Sequence, residues 1–237
     1  MPFSNHIIAL KSAMSTRLAL FDLDNTLLAG DSDHAWGEFL ISRNLVDAES
    51  HRATNDSYYS QYLAGELDIH GYVRFTVDPV TQLDQAARTA LHNEFMASTV
   101  DAMILPKGRA LIQQHKEAGD TCIIITATND FVTAPIAREL GIDILLATTL
   151  DIEDGRITGK IEGVPCYQDG KISKLEDWLV EHTTAEQGLS MQNAVFYSDS
   201  INDLPLLQRV DEPVAVDPDP KLEQVACERN WQVISLR

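Results

Sequence analysis

The 237-residue chain is poor in basic side chains, in cysteine and in long apolar runs, and each shortage excludes a class of function. Lysine and arginine number 18 against 36 aspartates and glutamates, a net charge of −18, so nucleic acid and anionic membranes are unfavourable partners. The strongly apolar runs span only a few residues, which is too short for a membrane span. The three cysteines are scattered, odd in number and without C-x-x-C spacing, which indicates reduced thiols and a cytoplasmic location.

The composition nevertheless supports a substantial core. Hydrophobic residues make up 44% of the chain, enough for one large domain or for a core with an insertion. Residues 1–15 lack a convincing signal-peptide pattern, and we interpret them as an N-terminal extension in which Met14 is an alternative translation start. Nothing in the pattern predicts an oligomeric state.

Short apolar runs recur at intervals that leave room for helices between them. They occupy residues 18–21, 122–125, 142–147, 194–197 and 213–216. Such runs are typical of strands buried on both faces, so the sequence predicts an α/β fold with a parallel sheet. Glycines predict the ends of two intervening helices, at residues 108–118 and 130–140. Residues 149–161 contain two turn-forming glycines and predict an antiparallel excursion.

The segment from residue 32 to residue 100 has a different character, without a buried-strand pattern. Its apolar residues follow helical spacing, as at Leu83, Ala87, Leu91 and Phe95. We therefore predict a small α-helical cap domain at residues 31–100, inserted into a catalytic core made of residues 16–30 and 101–237. A cap in this position would cover the carboxyl ends of the strands, where an α/β sheet places its ligand.

Two of the predicted strands are followed by acidic residues. Asp22, Asp24 and Thr26 follow the first strand, and Asp199 and Asp203 follow the fourth. Clustered carboxylates repel, and the usual reliefs are a divalent cation held by oxygen ligands or a shared proton with one raised pKa. Either relief makes a reactive site. The alternative for the first cluster is a turn in which Asp and Asn cap a helix.

Two further residues bear on the chemistry of such a site. Thr126 follows the second strand, and Asn129 can begin a helix, so a hydroxyl and free amides predict an anion site there. The alternative for Thr126 is a turn or capping role. Lys171 follows Asp169-Gly170 at the start of a predicted helix, where the alternative is a solvated surface lysine.

Taken in order, these motifs resemble those of the haloacid dehalogenase superfamily. The residues that carry the resemblance are Asp22-Leu-Asp24-Asn-Thr26, Thr126, Lys171 and Asp199-Ser-Ile-Asn-Asp203. The place of the helical insertion resembles the phosphoserine-phosphatase-like branch, and the resemblance extends over nearly everything from Arg17 onward. It implies a Rossmann-like three-layer α/β/α core and a Mg²⁺-dependent phosphatase that acts on a small-molecule phosphate ester.

The resemblance also implies roles for the acids. Asp22 would attack phosphorus and form an aspartyl-phosphate, and Asp24 would protonate the leaving oxygen and then activate water. Mg²⁺ would be held by the Asp22 carboxylate, the Asp24 backbone carbonyl and Asp199, with Asp203 in support. For this role Asp24 must hold a proton near neutral pH, although an ordinary aspartate titrates near ~3.9.

The remaining motif residues would bind the substrate. Thr126 and Lys171 would hold the phosphoryl oxygens, and Lys171 would also screen the charge of Asp22. The rest of the predicted pocket in the core consists of Thr26, Ala127, Thr128 and Asn202. Phosphoserine phosphatases typically carry Gly-Gly where this chain has Ala127-Thr128, so the pocket lining differs from theirs.

Residues of the predicted cap bear on the choice of substrate. Asp31 lies where phosphoserine phosphatases place an acid for the substrate ammonium, and Arg74 lies where they place an arginine for its carboxylate. A phosphoserine-like substrate is favoured, unless these two are surface residues forming a weak pair. Relatives with a similar Asp31-Ser32-Asp33 segment and a nearby Trp36 are assigned to histidinol phosphate, which has no carboxylate. Asp31, Asp33 and Glu38 would suit that substrate, and Arg74 would have no partner.

Other classes of function stay open at this point. A phosphotransferase on the same scaffold would pass phosphate from Asp22 to an alcohol. A non-catalytic binding module would be expected to have lost Asp22 or Asp24. A sugar-nucleotide transferase explains neither Lys171 nor Asp203, and a dehalogenase would lack Asp24.

The histidines do not predict a zinc site, because none has the spacing to other ligands that zinc requires. His34 follows Asp33 and could enter the pocket. The histidines interpreted as solvated are His51, His70, His92, His115 and His182.

Overall fold

The structure, a computed structural model, describes residues 17–182 and 188–237. Its strands are β1 (Leu18–Phe21), β2 (Thr121–Asn129), β3 (Ile144–Thr148), β4 (Leu150–Glu153), β5 (Arg156–Ile161), β6 (Ala194–Ser198), β7 (Glu212–Val216) and β8 (Gln232–Ile234). Within these two ranges, six strands form one parallel sheet in the order β3-β2-β1-β6-β7-β8, and β4 and β5 form an antiparallel pair. The predicted α/β fold with a parallel sheet is confirmed.

The helices flank the sheet and fill the segment between β1 and β2. They are α1 (Ser32–Ser42), α2 (Ala48–Ala64), α3 (Ile69–Val77), α4 (Gln85–Phe95), α5 (Asp101–Met103), α6 (Pro106–Ala118), α7 (Asp130–Glu139), α8 (Asp169–His182), α9 (Leu204–Leu207) and α10 (Pro220–Arg229). Short 3-10 turns cover Asp78–Val80, Met191–Asn193 and Ile201–Asp203, and a π-helical turn covers Met96–Val100. None of the helices in the described ranges is long and apolar enough to cross a membrane.

Strand β1 lies at the centre of the sheet with both of its faces covered. All four of its side chains are fully buried. Ala19 and Phe21 pack in one apolar cluster with side chains of α6 and α7, and Leu18 and Leu20 pack in another with side chains of α8 and α10. Alternate residues of a pleated strand face opposite layers, so this packing confirms the three-layer arrangement.

Most of the predicted elements are present, with their ends shifted by a few residues. Helix α6 starts at Pro106, a favoured first helical residue, and ends at Gly119, which adopts the left-handed backbone with a φ of 84°. Asn129 caps α7 by accepting a hydrogen bond from the Val132 amide at 3.1 Å. The antiparallel excursion is the β4–β5 hairpin. Strand β8 was not predicted, because it has only three residues, two of them exposed, and these give no apolar run.

Helices α1 to α4, called the cap helices below, occupy the segment predicted as a cap. Trp36 of α1 and Phe95 of α4 share one apolar cluster with Ile136 of α7, so packing continues from the cap helices into the core. The boundaries of the cap at residues 31 and 100 therefore stay a prediction from the sequence. The predicted extension at residues 1–15, with Met14, lies outside the described residues.

Candidate active site

The carboxyl ends of β2, β1 and β6 meet at the middle of one sheet edge. Phe21, the last residue of β1, is in register with Ile124 of β2 and Tyr197 of β6. The Asp22 amide extends this pairing by donating to the Tyr197 carbonyl at 2.9 Å. The polar residues that follow these strands are therefore brought to the same edge of the sheet.

A buried lysine joins two of the acids. Lys171 Nζ donates to Asp22 Oδ1 and to Asp203 Oδ2, each at 2.7 Å, and the lysine side chain is only 3% exposed. Ser198 Oγ donates to the same Asp203 oxygen at 2.7 Å. Burial disfavours the charged lysine, but the Asp203 and Asp22 carboxylates raise its pKa above the ordinary value, so it stays charged. This burial excludes the alternative of a solvated surface lysine.

Lys171 reaches the acids because the start of α8 packs very tightly. A Cβ atom on Gly170 would lie 1.9 Å from the Pro165 carbonyl oxygen. No side chain can be accommodated at that distance without moving the backbone. Gly170 therefore fixes where α8 begins and where Lys171 lies.

Asp24 is held by two hydrogen-bond donors. The Ser32 amide, in the first turn of α1, donates to Oδ1 at 2.6 Å, and the Thr128 hydroxyl donates to Oδ2 at 2.8 Å. Burial raises the pKa of Asp24 to about 7, and the charge of Asp31 adds to this effect. A carboxyl with a pKa near neutrality can both give and accept a proton, as the predicted acid and base must.

Asp199 is oriented by Thr26. The Thr26 hydroxyl donates to Asp199 Oδ1 at 3.2 Å and accepts from the Asp199 amide at 3.1 Å. Thr26 is fully buried and does not line the cavity described below, in contrast to its predicted role in binding substrate. The structure thus gives Thr26 a positioning role, because its hydroxyl is engaged by Asp199.

The oxygen donors at this edge fit a hard divalent cation. Burial raises the pKa of Asp199 well above its usual range, and the charges of Asp22 and Asp203 raise it further, so these carboxylates crowd one another. Thr26 takes one oxygen of Asp199, which leaves the second for a cation, and the Asp22 oxygen that Lys171 holds keeps a further lone pair. Among residues 17–182 and 188–237, no three His, Cys, Asp or Glu side chains form a complete cage. A cation would therefore also need oxygen from a backbone carbonyl and from water or substrate.

The end of β2 supplies hydrogen-bonding groups beside these acids. Thr126 Oγ1 accepts from the Thr128 amide at 3.2 Å, and Thr126 is almost fully buried. Because that bond uses the hydroxyl as an acceptor, its proton can be donated to a phosphoryl oxygen. Thr126, Ala127 and Thr128 all line the cavity, as a pocket at these positions requires.

A narrow cavity separates this sheet edge from the cap helices. It is lined by Asp22, Asp24, Asp31, Asp33, Tyr58, Tyr59, Tyr62, Leu67, Ile69, Tyr72, Thr126, Ala127 and Thr128. Its volume is about 30 Å³, room for only a few water molecules. A phosphate ester is larger than this volume, so we expect its binding to require movement of the cap helices away from the core.

Hydrogen bonds hold the end of α2 to the core in this closed arrangement. Asn202 Nδ2 donates to the Tyr62 carbonyl at 2.9 Å, and the Tyr62 hydroxyl donates to Ser200 Oγ at 3.2 Å. Gln168 Nε2 donates to the Gly65 carbonyl at 3.2 Å. Asn202, predicted to bind substrate, thus contacts a cap helix and does not line the cavity.

The structure separates the residues predicted to recognise the substrate. Asp31 and Asp33 line the cavity, but Arg74 is exposed beside Gly159 of β5 and is not part of its lining. Val73 and Val77 are on the buried face of α3, which leaves Arg74 on another side of that helix. Glu38 also lies outside the cavity, because it forms a surface pair with Arg52 at 2.7 Å.

Sequence reasoning missed the tyrosines of the cap helices. Tyr58, Tyr59 and Tyr62 of α2 and Tyr72 of α3 line the cavity, and the whole chain has only six tyrosines. The concentration of these tyrosines between residues 58 and 72 is the sequence signal that could have identified them. Ser198 has no predicted role, whereas the structure shows that its hydroxyl donates to Asp203.

Three histidines interpreted as solvated are partly or fully buried. His51 is 7% exposed and stacks on Phe75 with ring centroids 4.3 Å apart. His115 Nε2 lies 2.9 Å from the Tyr197 hydroxyl. Burial lowers the pKa of His92 to about 4, and nearby arginines lower it further. These side chains contribute to packing and do not line the cavity.

Comparison with known proteins decides the family. The family of haloacid dehalogenase-like hydrolases matches residues 19–208, well over half of the chain. The chain belongs to the haloacid dehalogenase-like hydrolases. The predicted enzyme class, a phosphatase of this superfamily, is confirmed by this match and by the relatives described next.

Curated relatives of this haloacid dehalogenase-like hydrolase include named phosphatases. It is 43% identical over 224 residues to the histidinol-phosphatase of Neisseria meningitidis serogroup C (strain 8013), covering 93% of this chain and 99% of that protein. It is 31% identical over 228 residues to phosphoserine phosphatase SerB1 of Mycobacterium tuberculosis (strain ATCC 25618 / H37Rv), covering 94% of this chain and 71% of that protein.

Solved structures show the same fold. A protein of unknown function from Bordetella pertussis Tohama I has a TM-score of 0.84 and 40% identity over 93% of this chain and 99% of that one. A substrate-bound phosphoserine phosphatase has a TM-score of 0.67 and 17% identity over 94% of both chains. At 17% identity this second likeness supports the fold alone.

Proposed function

We propose that this enzyme is a Mg²⁺-dependent phosphomonoesterase that hydrolyses histidinol phosphate through an aspartyl-phosphate on Asp22. The observation that carries the chemistry is the buried Lys171, which lies 2.7 Å from Asp22 at the edge of the cavity that Asp24 also lines. The substrate assignment is supported by the acidic, tyrosine-lined cavity and by the Neisseria relative.

The carboxylate oxygen of Asp22 that Lys171 does not hold is the nucleophile. It forms a bond to phosphorus as the bond from phosphorus to the ester oxygen breaks, and Asp24 gives its proton to that oxygen. Water then attacks the phosphorus of the aspartyl-phosphate. Asp24 takes a proton from this water, and phosphate leaves with Asp22 restored.

Charge is the main obstacle to the first step, because an anionic carboxylate must approach a phosphate dianion. Lys171 offsets part of this repulsion with a fixed positive charge, held in place by Asp203. Thr126 donates a hydrogen bond to a phosphoryl oxygen. Asp22, Asp199 and the Asp24 carbonyl would hold Mg²⁺, which would supply a Lewis acid to stabilise charge on the phosphoryl oxygens.

The cavity favours a substrate that carries positive charge and no carboxylate. Asp31 and Asp33 add two acids to a lining that already contains Asp22 and Asp24. In the part of the chain that the structure describes, no lysine or arginine lines the cavity to pair with a substrate carboxylate. An amine and an imidazole, as in histidinol phosphate, are complementary to these acids, whereas the carboxylate of phosphoserine would be repelled.

Phosphoserine is the second candidate because Asp31 does line the cavity, where an acid would bind its ammonium group. The Mycobacterium tuberculosis relative named as a phosphoserine phosphatase adds to this case. The position of Arg74 argues against phosphoserine. Arg74 is exposed on α3, so the carboxylate of phosphoserine would lack the arginine expected to bind it.

The deciding experiment is phosphate release with Mg²⁺ from histidinol phosphate, phosphoserine, sugar phosphates and p-nitrophenyl phosphate. We expect histidinol phosphate to have the highest kcat/KM and Asp22→Asn to abolish release from every ester. A preference for phosphoserine would overturn the substrate assignment, and release that survives Asp22→Asn would overturn the mechanism. Excess ethanol tests for phosphotransfer, since a transferase would form ethyl phosphate and a hydrolase would release only phosphate.

A further inference from the structure

Asp33 is a buried acid of the cavity to which the catalytic steps assign no role. It lies in the first turn of α1, is 4% exposed and lines the cavity. Its Oδ1 accepts a hydrogen bond from Asn129 Nδ2 at 3.2 Å. Burying a carboxyl is unfavourable unless it gains partners, so its second oxygen is suited to a donor that arrives with the substrate.

Asn129 fixes which oxygen of Asp33 is already used. Its own Oδ1 accepts from the Val132 amide as the cap of α7, so its Nδ2 is the end that is turned toward Asp33. A carboxylate that is held at one oxygen by a rigid amide presents the other oxygen in a defined direction. The Asp33–Asn129 pair is therefore preorganised to accept one further hydrogen bond.

Two tyrosines of the cap helices line the cavity. Tyr62 is tied to the reacting edge, because its hydroxyl donates to Ser200 Oγ at 3.2 Å, next to Asp199. Tyr72 lines the same cavity from α3, and among the charges that raise its pKa the Asp33 carboxylate contributes most. Tyr72 is therefore a cavity residue that interacts electrostatically with Asp33.

Asp31, the N-cap residue of α1, is the other acid that this helix brings to the cavity. Its charge is the largest electrostatic contribution to the raised pKa of Asp24, and it also acts on Asp33. One Asp31 oxygen accepts from the His34 amide at 2.8 Å, which leaves the other for the substrate. The start of α1 therefore presents two acids, Asp31 and Asp33, to the cavity that Asp24 also lines.

We infer that Asp33, positioned by Asn129 and next to Tyr72, binds the ring N–H of a heteroaromatic group on the substrate. This inference rests on the proposed function and assigns its specificity. In a 2-amino-3-(heteroaryl)propyl phosphate, the amine is one carbon from the ester carbon and the ring is farther away. Asp31 then binds the amine and Asp33 the ring N–H, in a cavity whose lining also includes Tyr72 and Ile69.

Asp33→Asn is the decisive variant because its effect depends on Asn129. The Asn129 amide will hold the new carbonyl oxygen, so the new NH₂ group will face the ring N–H, and two donors will oppose each other. We compare histidinol phosphate with 2-aminopropyl phosphate, which keeps the amine but has no ring. The ratio of their kcat/KM values should fall by about 10- to 100-fold in the variant, the range expected for a hydrogen bond to a charged group.

A control variant and a binding measurement separate recognition from folding. Asp56→Asn removes an exposed acid of α2 that pairs with His34 outside the cavity, and it should leave the ratio unchanged. Inhibition by histidinol, compared with inhibition by 2-aminopropanol, provides a second measurement without catalysis. Asp33→Asn should weaken inhibition by histidinol by a similar factor and affect the ring-free amine much less.

The outcomes distinguish this inference from the proposed function. If both esters are hydrolysed and Asp33→Asn leaves the ratio unchanged, ring recognition by Asp33 is wrong and the proposed function stands. If the wild-type enzyme hydrolyses p-nitrophenyl phosphate through Asp22 but shows no preference for the ring-bearing ester, the substrate assignment and this inference both fail. A ratio that falls together with histidinol inhibition supports the inference.

Discussion

Asp24→Asn should make the metal-free protein more stable at pH 8 while it abolishes most of its activity. Asp24 carries a charge beside Asp31, and its hydrogen bonds come from the neutral Ser32 amide and Thr128 hydroxyl. Asparagine keeps the first contact through its carbonyl oxygen and can donate to the Thr128 oxygen with its NH₂ group. The substitution therefore removes a buried charge without removing a hydrogen bond.

The size of the effect follows from the pKa of Asp24, about 7 in the folded protein against an ordinary value of 3.8. Each pKa unit corresponds to about 1.4 kcal/mol, so an ionised Asp24 destabilises the folded state by up to about 4 kcal/mol above pH 7. Water reaches part of this side chain, so we expect a gain of about 2–3 kcal/mol in the variant. The gain should disappear as the pH falls through 7 toward 4, because the wild-type carboxyl then becomes neutral as well.

The assay is chemical and thermal unfolding in EDTA at pH 8 and pH 4, with Asp56→Asn as the matched exposed control. A gain of this size should raise Tm by roughly 5–10 °C at pH 8. Hydrolysis by the same variant should fall by at least about a hundredfold, because the general acid is lost. The reasoning is refuted if Asp24→Asn is less stable than the wild type at pH 8, or if its gain is equally large at pH 4.

Three further substitutions test other parts of the structure. Gly170→Ala should destabilise the protein by about 1–3 kcal/mol and reduce hydrolysis, because the alanine Cβ would collide with the Pro165 carbonyl. A free energy of unfolding equal to that of the wild type would contradict the packing of α8. Arg74→Ala should change kcat/KM for histidinol phosphate and phosphoserine by less than about threefold, and a tenfold loss with either would place Arg74 at the substrate. As the pH falls from 6.5 to 4, the free energy of unfolding of His92→Gln should rise by about 3 kcal/mol relative to the wild type. In this range the unfolded wild-type histidine binds a proton, whereas the folded one, with its pKa of about 4, stays neutral. Equal pH profiles of the two proteins in denaturant titrations would disprove this.

The acids at the sheet edge could be predicted because their positions depend on local sequence. Apolar runs of strand length end at Phe21 and Tyr197, and in a parallel sheet the residues after such strands meet at one edge. Asp22 and Asp199 therefore follow from the pattern of the chain. Lys171 needed the motif resemblance as well, since no local pattern distinguishes a buried lysine from a solvated one.

The substrate side of the site could not be predicted in the same way. The sequence predicts a helical segment here, but which faces of α2 and α3 meet the cavity depends on how these helices pack on distant elements. That packing places Tyr72 in the cavity and leaves Arg74 beside β5. The exposed position of Arg74, together with the acidic lining of the cavity, is why we propose histidinol phosphate in place of the phosphoserine-like substrate that the sequence favours.

The sequence by itself determined the fold class and which acids follow the strands, because strand length and burial are encoded in local patterns of apolar residues. Only the tertiary structure showed the raised pKa of Asp24 and the hydrogen bonds between Thr26 and Asp199. Burial beside Asp31 raises the pKa of Asp24, and the Asp199 amide and carboxylate engage the Thr26 hydroxyl. Both depend on groups far apart in the chain, whose distance and shielding from water are set when the sheet and cap helices assemble.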